Sequence, residues 1–166
     1  MTQQTEDGYK SELFNTVMDY LCNIPIFDAL KSSELKTIAH FMNCYDACEG
    51  DAIFLEGEKG DYVCFVVEGT LEVSKTSSSG ERTVLTTLSS GHSIGEMSVI
   101  DDFPRSATVV ALTRSRLITM SRKDFDTLVE EHPKIGINIL KGVARVLSIN
   151  LRKTSGQLAE RMLPVL

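Results

Sequence analysis

DYVCFVVEGTLEVSKTSSSGERTVLTTL, residues 61–88, decides the architecture. Three runs rich in β-branched and aromatic residues, YVCFVVE, TLEVSKT and RTVLTTL, are parted by Gly69 and by the polar loop SSSGE at 77–81, as in consecutive antiparallel strands. Working outward, DAIFLE precedes them and SATVVAL and RLITMS follow, with glycines at 57, 60, 91 and 95 in the intervals. Short strands at such regular spacing predict a mainly β fold with flanking helices, an antiparallel sandwich or a jelly roll (β-roll) of about eight strands.

Toward the N-terminus, SELFNTVMDYLCNIPIF places Leu13, Phe14, Val17, Met18, Tyr20 and Leu21 close to a helical stripe, which Pro25 should end. SSELKTIAHFM predicts a second helix, capped by Ser32 or Ser33, with Glu34 in its first turn and Leu35, Ile38, Ala39 and Met42 on one face. Beyond Ser121 a helix starts near Arg122, breaks at Pro133 and restarts for about thirty residues. There Leu140, Ala144, Leu147, Leu151, Thr154 and Leu158 recur at spacings of four and three, a heptad seam. Such a seam packs on the chain's own core or on a second copy. The helix is too long for the roll to cover, so a homodimer through the C-terminal helix is expected. The expected division is a helical segment at 1–42, the roll at 43–121 and C-terminal lid or dimerisation helices at 122–166.

The 166 residues, 42% hydrophobic and 24% charged, suit one globular domain with a helical arm and leave no room for a second, catalytic domain. No apolar run approaches the roughly 18 residues of a membrane span, and the start, MTQQTEDGYK, lacks the basic and apolar regions of a signal peptide. A cytoplasmic protein without membrane contact is expected. A net charge of −6, from 23 acids against 17 bases, argues against nucleic acid as a direct partner. The bases of the last third, Arg114, Arg116, Arg122, Lys123, Lys134, Lys141, Arg145, Arg152, Lys153 and Arg161, read as a solvated face. Cys22, Cys44, Cys48 and Cys64 lack the spacing of a metal site and are expected as free thiols. His40, His92 and His132 are scattered, with no nucleophile and base in one motif, so no catalytic residue, metal or cofactor is assigned and the chain is not read as an enzyme.

Packing alone does not account for SSGHSIGEMSVIDDFPRSATVVA, residues 89–111. Gly95 permits close backbone approach to a ligand. Glu96 to about Asp101 reads as one helical turn, whose first N–H groups would favour an anion. Pro104 closes the insert and Arg105 opens the next strand, fixing a planar guanidinium suited to bidentate phosphate binding. Glu96 adds a carboxylate acceptor for a sugar hydroxyl. The competing reading is a plain Glu96–Arg105 salt bridge across a loop.

Residues 95–109, GEMSVIDDFPRSATV, resemble the phosphate-binding cassette of cyclic nucleotide-binding domains at Gly95, Glu96, Pro104, Arg105, Ala107, Thr108 and Val109, with Ile94 in place of the usual Phe. IPIFDALKSSELKTIA and GDAIFLEGEKGDYVCFVVEGTLEV are similar to the family's preceding helix and first hairpins, so the likeness covers most of residues 25–150. The resemblance implies that Glu96 accepts from the ribose 2′-hydroxyl and that the Gly95 and Glu96 backbone lies against the sugar. Arg105 would hold the exocyclic phosphate oxygen with the N–H groups of Ser106 and Ala107. Met97 and Ser98 complete the ligand-binding set. Catabolite activator proteins, which bind cyclic AMP, also carry Ser after the arginine. Asn150 falls where their long helix reads the adenine amino group, with Leu151 replacing the polar residue beside it. The implied ligand is therefore cyclic AMP in preference to cyclic GMP, and the implied role a sensor whose C-terminal helix moves over the base about a hinge near Pro133. Two alternatives stay open: a degenerate roll that binds only protein, and the sensor part of a transcription regulator.

Overall fold

The computed structural model describes residues 17–101 and 103–162, without the side chain of residue 161. Leu13 and Phe14 of the first stripe, and Asp102 of the cassette, lie outside the described residues. Eight strands form: β1 (Asn43–Ala47), β2 (Ala52–Phe54), β3 (Tyr62–Glu68), β4 (Leu71–Thr76), β5 (Arg82–Leu88), β6 (Ser93–Ile94), β7 (Thr108–Ala111) and β8 (Ser115–Ser121). They make two antiparallel four-stranded sheets, ordered β1-β8-β3-β6 and β2-β7-β4-β5. This is the expected β-roll.

β3 is the hinge of the packing. Cys64 and Val66 point between the sheets, with Phe54, Leu71, Val109 and Leu117, while Val63, Phe65 and Val67 point into a second core under the helices. A strand buried on both faces loses the apolar-polar alternation of a half-exposed one, which is why YVCFVVE reads as a continuous apolar run. β1 and β6 escaped the sequence reading for the opposite reason. Only Ala47 of β1 is buried, and β6 has two residues, so neither shows a period.

The helical layer covers the outer face of the first sheet. The described part of α1, residues 17–21, stops short of Pro25, which instead begins a 3-10 turn, Pro25–Phe27. This corrects the expectation that Pro25 ends the first helix: proline's fixed φ suits a first helical position. α2 (Ser32–Ala39) is preceded by Lys31, not by a capping serine. The Glu34 carboxylate accepts from the Lys31 N–H at 2.8 Å, the reciprocal half of a capping box, while the Glu34 N–H that a capping serine would have served donates to the Lys31 carbonyl at 2.9 Å. The predicted face of Leu35, Ile38, Ala39 and Met42 is buried as expected.

α3 (Arg122–Glu131) begins at Ser121, whose Oγ accepts from the Asp124 N–H at 3.0 Å. α4 (Pro133–Met162) then runs for 30 residues. Ile135, Ile139 and Val143 form its buried face, whereas the heptad seam looks outward: Leu151 is 68% and Leu158 58% exposed, and every residue from 148 to 160 is exposed. Leu147 is half-buried against the chain's own core, whereas the distal part of the seam, Leu151 and Leu158, does not pack on it in this conformation. No described helix is long and apolar enough to cross a membrane.

Candidate functional site

Two connections meet at the end of the roll. Gly57 donates from its N–H to the Arg105 carbonyl at 2.9 Å, and the Arg105 N–H donates to the Glu58 carbonyl at 2.7 Å, locking the β2–β3 loop to the segment that leads into β7. The Thr108 hydroxyl accepts from the Glu56 N–H at 3.1 Å and extends the seam. Arg105 thus leaves a backbone fixed on both sides.

Its guanidinium is turned inward and only 5% of the residue is exposed. Cζ lies 3.5 Å from the ring centroid of Phe54 and 4.8 Å from that of Tyr62, a cation in the corner of two aromatic rings that meet edge to face, their centroids 5.3 Å apart. Nη1 donates to Ser98 Oγ at 3.0 Å and Nη2 to the Tyr62 carbonyl at 2.8 Å. Burial works against the charge, and the lone pairs and ring faces around it offset that cost.

The cassette itself is short. Gly95, with φ of +80°, precedes a 3-10 turn, Glu96–Val99, a tighter element than the helical turn expected to reach Asp101. A Cβ at Gly95 would lie 2.4 Å from Arg105 Nη1 and 2.9 Å from the Phe54 ring. The glycine is required twice, by its left-handed backbone and by the arginine packed against it.

Glu96 is 7% exposed, and burial pushes its carboxyl above the usual range. Among the described residues no ion pair joins it to Arg105, so the plain salt bridge is ruled out here. A raised folded-state pKa gives stability that is full below the unfolded value and is lost as pH rises through the folded one. Glu96→Gln is therefore expected to match the wild type in thermal stability near about pH 4, where carboxyls protonate, and to exceed it at neutral pH. Melting curves at both pH values check this; an equal gap at both would show that ionised Glu96 carries no burial cost.

Gly95, Ser98 and Arg105 come together through the contacts above, with Glu96 buried on the same turn. Met97 and Ser106 are exposed and Ala107 is half-buried beside Arg105. Asn150 stands exposed on α4 and takes no part in the hydrogen bonds that tie the cradle together; its carbonyl accepts from Thr154.

Sequence reasoning passed over three residues that build the site. Phe54 and Tyr62, whose rings form the corner that holds the guanidinium, read simply as strand aromatics. Arg122 was assigned to a solvated face, and that is corrected: it is half-buried and donates from Nη2 to the carbonyls of Ser98 and Asp101. The available signal was its position. A cation directly after an N-cap opposes the helix dipole, so an acceptor elsewhere had to hold it.

The family profile described as Cyclic nucleotide-binding domain matches residues 46–132. A CRP-like cAMP-activated global transcriptional regulator of Mycobacterium tuberculosis is 26% identical over 142 residues, 86% of this chain and 62% of the regulator. A cAMP-dependent protein kinase regulatory subunit of Mycosarcoma maydis is 34% identical over 115 residues, 66% of this chain and 22% of the subunit. The chain thus spans less than two thirds of either protein's length. Among solved structures, a cyclic nucleotide-binding domain from Methylobacillus flagellatus superposes with a TM-score of 0.82 at 26% identity, over 93% of this chain and 87% of that one.

Proposed function

The chain belongs to the cyclic nucleotide-binding domain family, and from that premise we propose that it is a regulatory, non-catalytic sensor that binds cyclic AMP in preference to cyclic GMP. One observation carries the reading. Glu96 and Arg105, opposite charges on one cassette, are both buried without pairing with each other. A buried carboxylate without a cation costs folding free energy, and an acceptor left in that state suits a ribose hydroxyl.

In this reading Arg105 turns its remaining N–H groups toward the cyclic phosphate, which it shares with the backbone N–H groups of Ser106 and Ala107. Glu96 accepts a hydrogen bond from the ribose 2′-hydroxyl, and Gly95 lets the sugar approach the backbone. Charge-assisted bonds of this kind fix the ligand's orientation as well as its affinity. The preference for adenine rests on Ser106, on Asn150, and on similarity to proteins described as cAMP-activated and cAMP-dependent. Calorimetry with each nucleotide on the full chain tests both levels. No heat and no thermal shift with either would remove the sensor reading in favour of a protein-only module, and tighter binding of cyclic GMP would reverse the base preference.

Output requires a difference in affinity between two conformations. We assign it to α4, swinging over the base about the break at Pro133; unchanged hydrogen exchange in α4 at saturating nucleotide would count against that motion. The outward seam supplies the partner. Leu151 and Leu158 are matched by a second copy in a coiled coil. Sedimentation of the wild type is expected to give two chains and of Leu151→Glu one, because a charge at a seam position is desolvated in the dimer. A monomeric wild type overturns the dimer.

A further inference from the structure

Two arginines converge on one residue of the cassette. Arg105 reaches the Ser98 hydroxyl at 3.0 Å, and Arg122 reaches the carbonyls of Ser98 and Asp101. Those carbonyls lie at the C-terminal end of the 3-10 turn, where backbone acceptors lack partners within the turn and carry partial negative charge. Arg122 is in turn held from behind, its N–H donating to the Asp61 carbonyl at 2.7 Å. It is also the first residue of α3, which packs along α4.

We infer that Arg122 is a positioning residue for nucleotide binding, clamping the C-terminal carbonyls of the cassette turn and tying the occupancy of Arg105 to the start of α3. The physical chain is short. A phosphate drawing on Arg105 moves the guanidinium relative to Ser98 Oγ. Ser98 is 4% exposed on a single tight turn, so packing restricts rotation about its Cα–Cβ bond and couples its hydroxyl to its carbonyl. Arg122 must follow or lose its acceptors, and its backbone is α3 itself. Coupling of this kind is reciprocal: whatever stabilises the clamp tightens the ligand, and the ligand orders the clamp. The inference rests on the cyclic-nucleotide reading above and concerns a side chain that need not touch the ligand.

The test uses the full chain as wild type, Arg122→Met, Arg122→Lys and Lys123→Met, the last altering the exposed base next door. Calorimetry measures cyclic AMP and cyclic GMP on each. Hydrogen exchange follows the turn and the first residues of α3 with and without saturating cyclic AMP. Arg122→Met is expected to weaken both nucleotides in parallel by about tenfold, the scale of a lost charge-assisted bond, and to abolish ligand-induced protection at the start of α3. Arg122→Lys, which keeps the charge and three N–H donors but ends one atom short of Nη2 and lacks the fixed plane of the guanidinium, is expected to lose about threefold and to keep part of the protection. Lys123→Met should behave as wild type.

Wild-type affinity and protection in Arg122→Met overturn the inference while leaving the sensor reading intact. If Arg122→Met does not fold, Arg122→Lys decides, and wild-type behaviour in it is equally fatal. A wild-type chain that binds neither nucleotide removes the sensor reading, and this inference with it.

Discussion

Arg105→Ala is expected to lower affinity for cyclic AMP and cyclic GMP alike by about 30-fold or more, equivalent to about 2–5 kcal/mol, the range for truncating one partner of a buried charge-assisted pair. Both nucleotides share the phosphate, so their ratio should hardly change. The size of the effect follows from the surroundings. The guanidinium is pre-oriented by the Phe54 and Tyr62 rings and by two fixed acceptors, so little freedom is lost when a ligand arrives. Removal leaves Ser98 Oγ and the Tyr62 carbonyl without that donor and empties the space against the two rings, so the melting temperature should fall too. Arg105→Lys separates the contributions. A lysine restores charge but not the planar fork, and should recover stability only in part and affinity still less. Calorimetry and melting curves on both variants give the measurement; equal binding by Arg105→Ala would falsify the assignment of the site.

The second large effect concerns two glycines of α4 that respond oppositely to one substitution. A Cβ at Gly142 would stand 2.1 Å from the Ile26 carbonyl oxygen, 2.8 Å from its carbon and 2.9 Å from its Cα. These are backbone atoms of the Pro25–Phe27 turn and cannot swing aside, so α4 must lift from the helical layer it closes. Overpacking of this kind costs about 1–3 kcal/mol, against about 1 kcal/mol regained from alanine's helix propensity. Because backbone and not a side chain must yield, the high end is expected. Gly142→Ala should therefore lose about 2 kcal/mol, a drop in Tm of about 4–8 °C for a chain of this size. Gly156, on the exposed half of the same helix, has nothing within 4 Å of its Cβ position. There alanine is expected to raise stability by up to about 1 kcal/mol. Thermal melts of the two variants side by side check the opposition. Two changes of the same sign would mean that α4 does not sit on the Pro25–Phe27 turn as described.

Local chemistry and periodicity carried most of this protein's organisation in the sequence itself. Strands β3, β4, β5, β7 and β8 are legible because β-branched runs between turns need no knowledge of what they pack against. Arg105 and Glu96 are legible because one compact motif carries both side chains within ten residues. What only the tertiary structure decided comes from contacts between distant residues. Arg122 lies 24 residues from Ser98, and Tyr62 lies 43 from Arg105. No local pattern records which carbonyl a guanidinium will find once the chain has closed. The same holds for α4, where the sequence offers two apolar stripes and, in Gly142 and Gly156, two interior glycines of equal local meaning. Folding buries Ile135, Ile139 and Val143 and turns Leu151 and Leu158 to solvent, and it sets Gly142 against a backbone while leaving Gly156 in the open. The physical reason is that burial belongs to the packed assembly: a helix repeats its side chains by its own geometry, but which face it buries depends on the layer it meets.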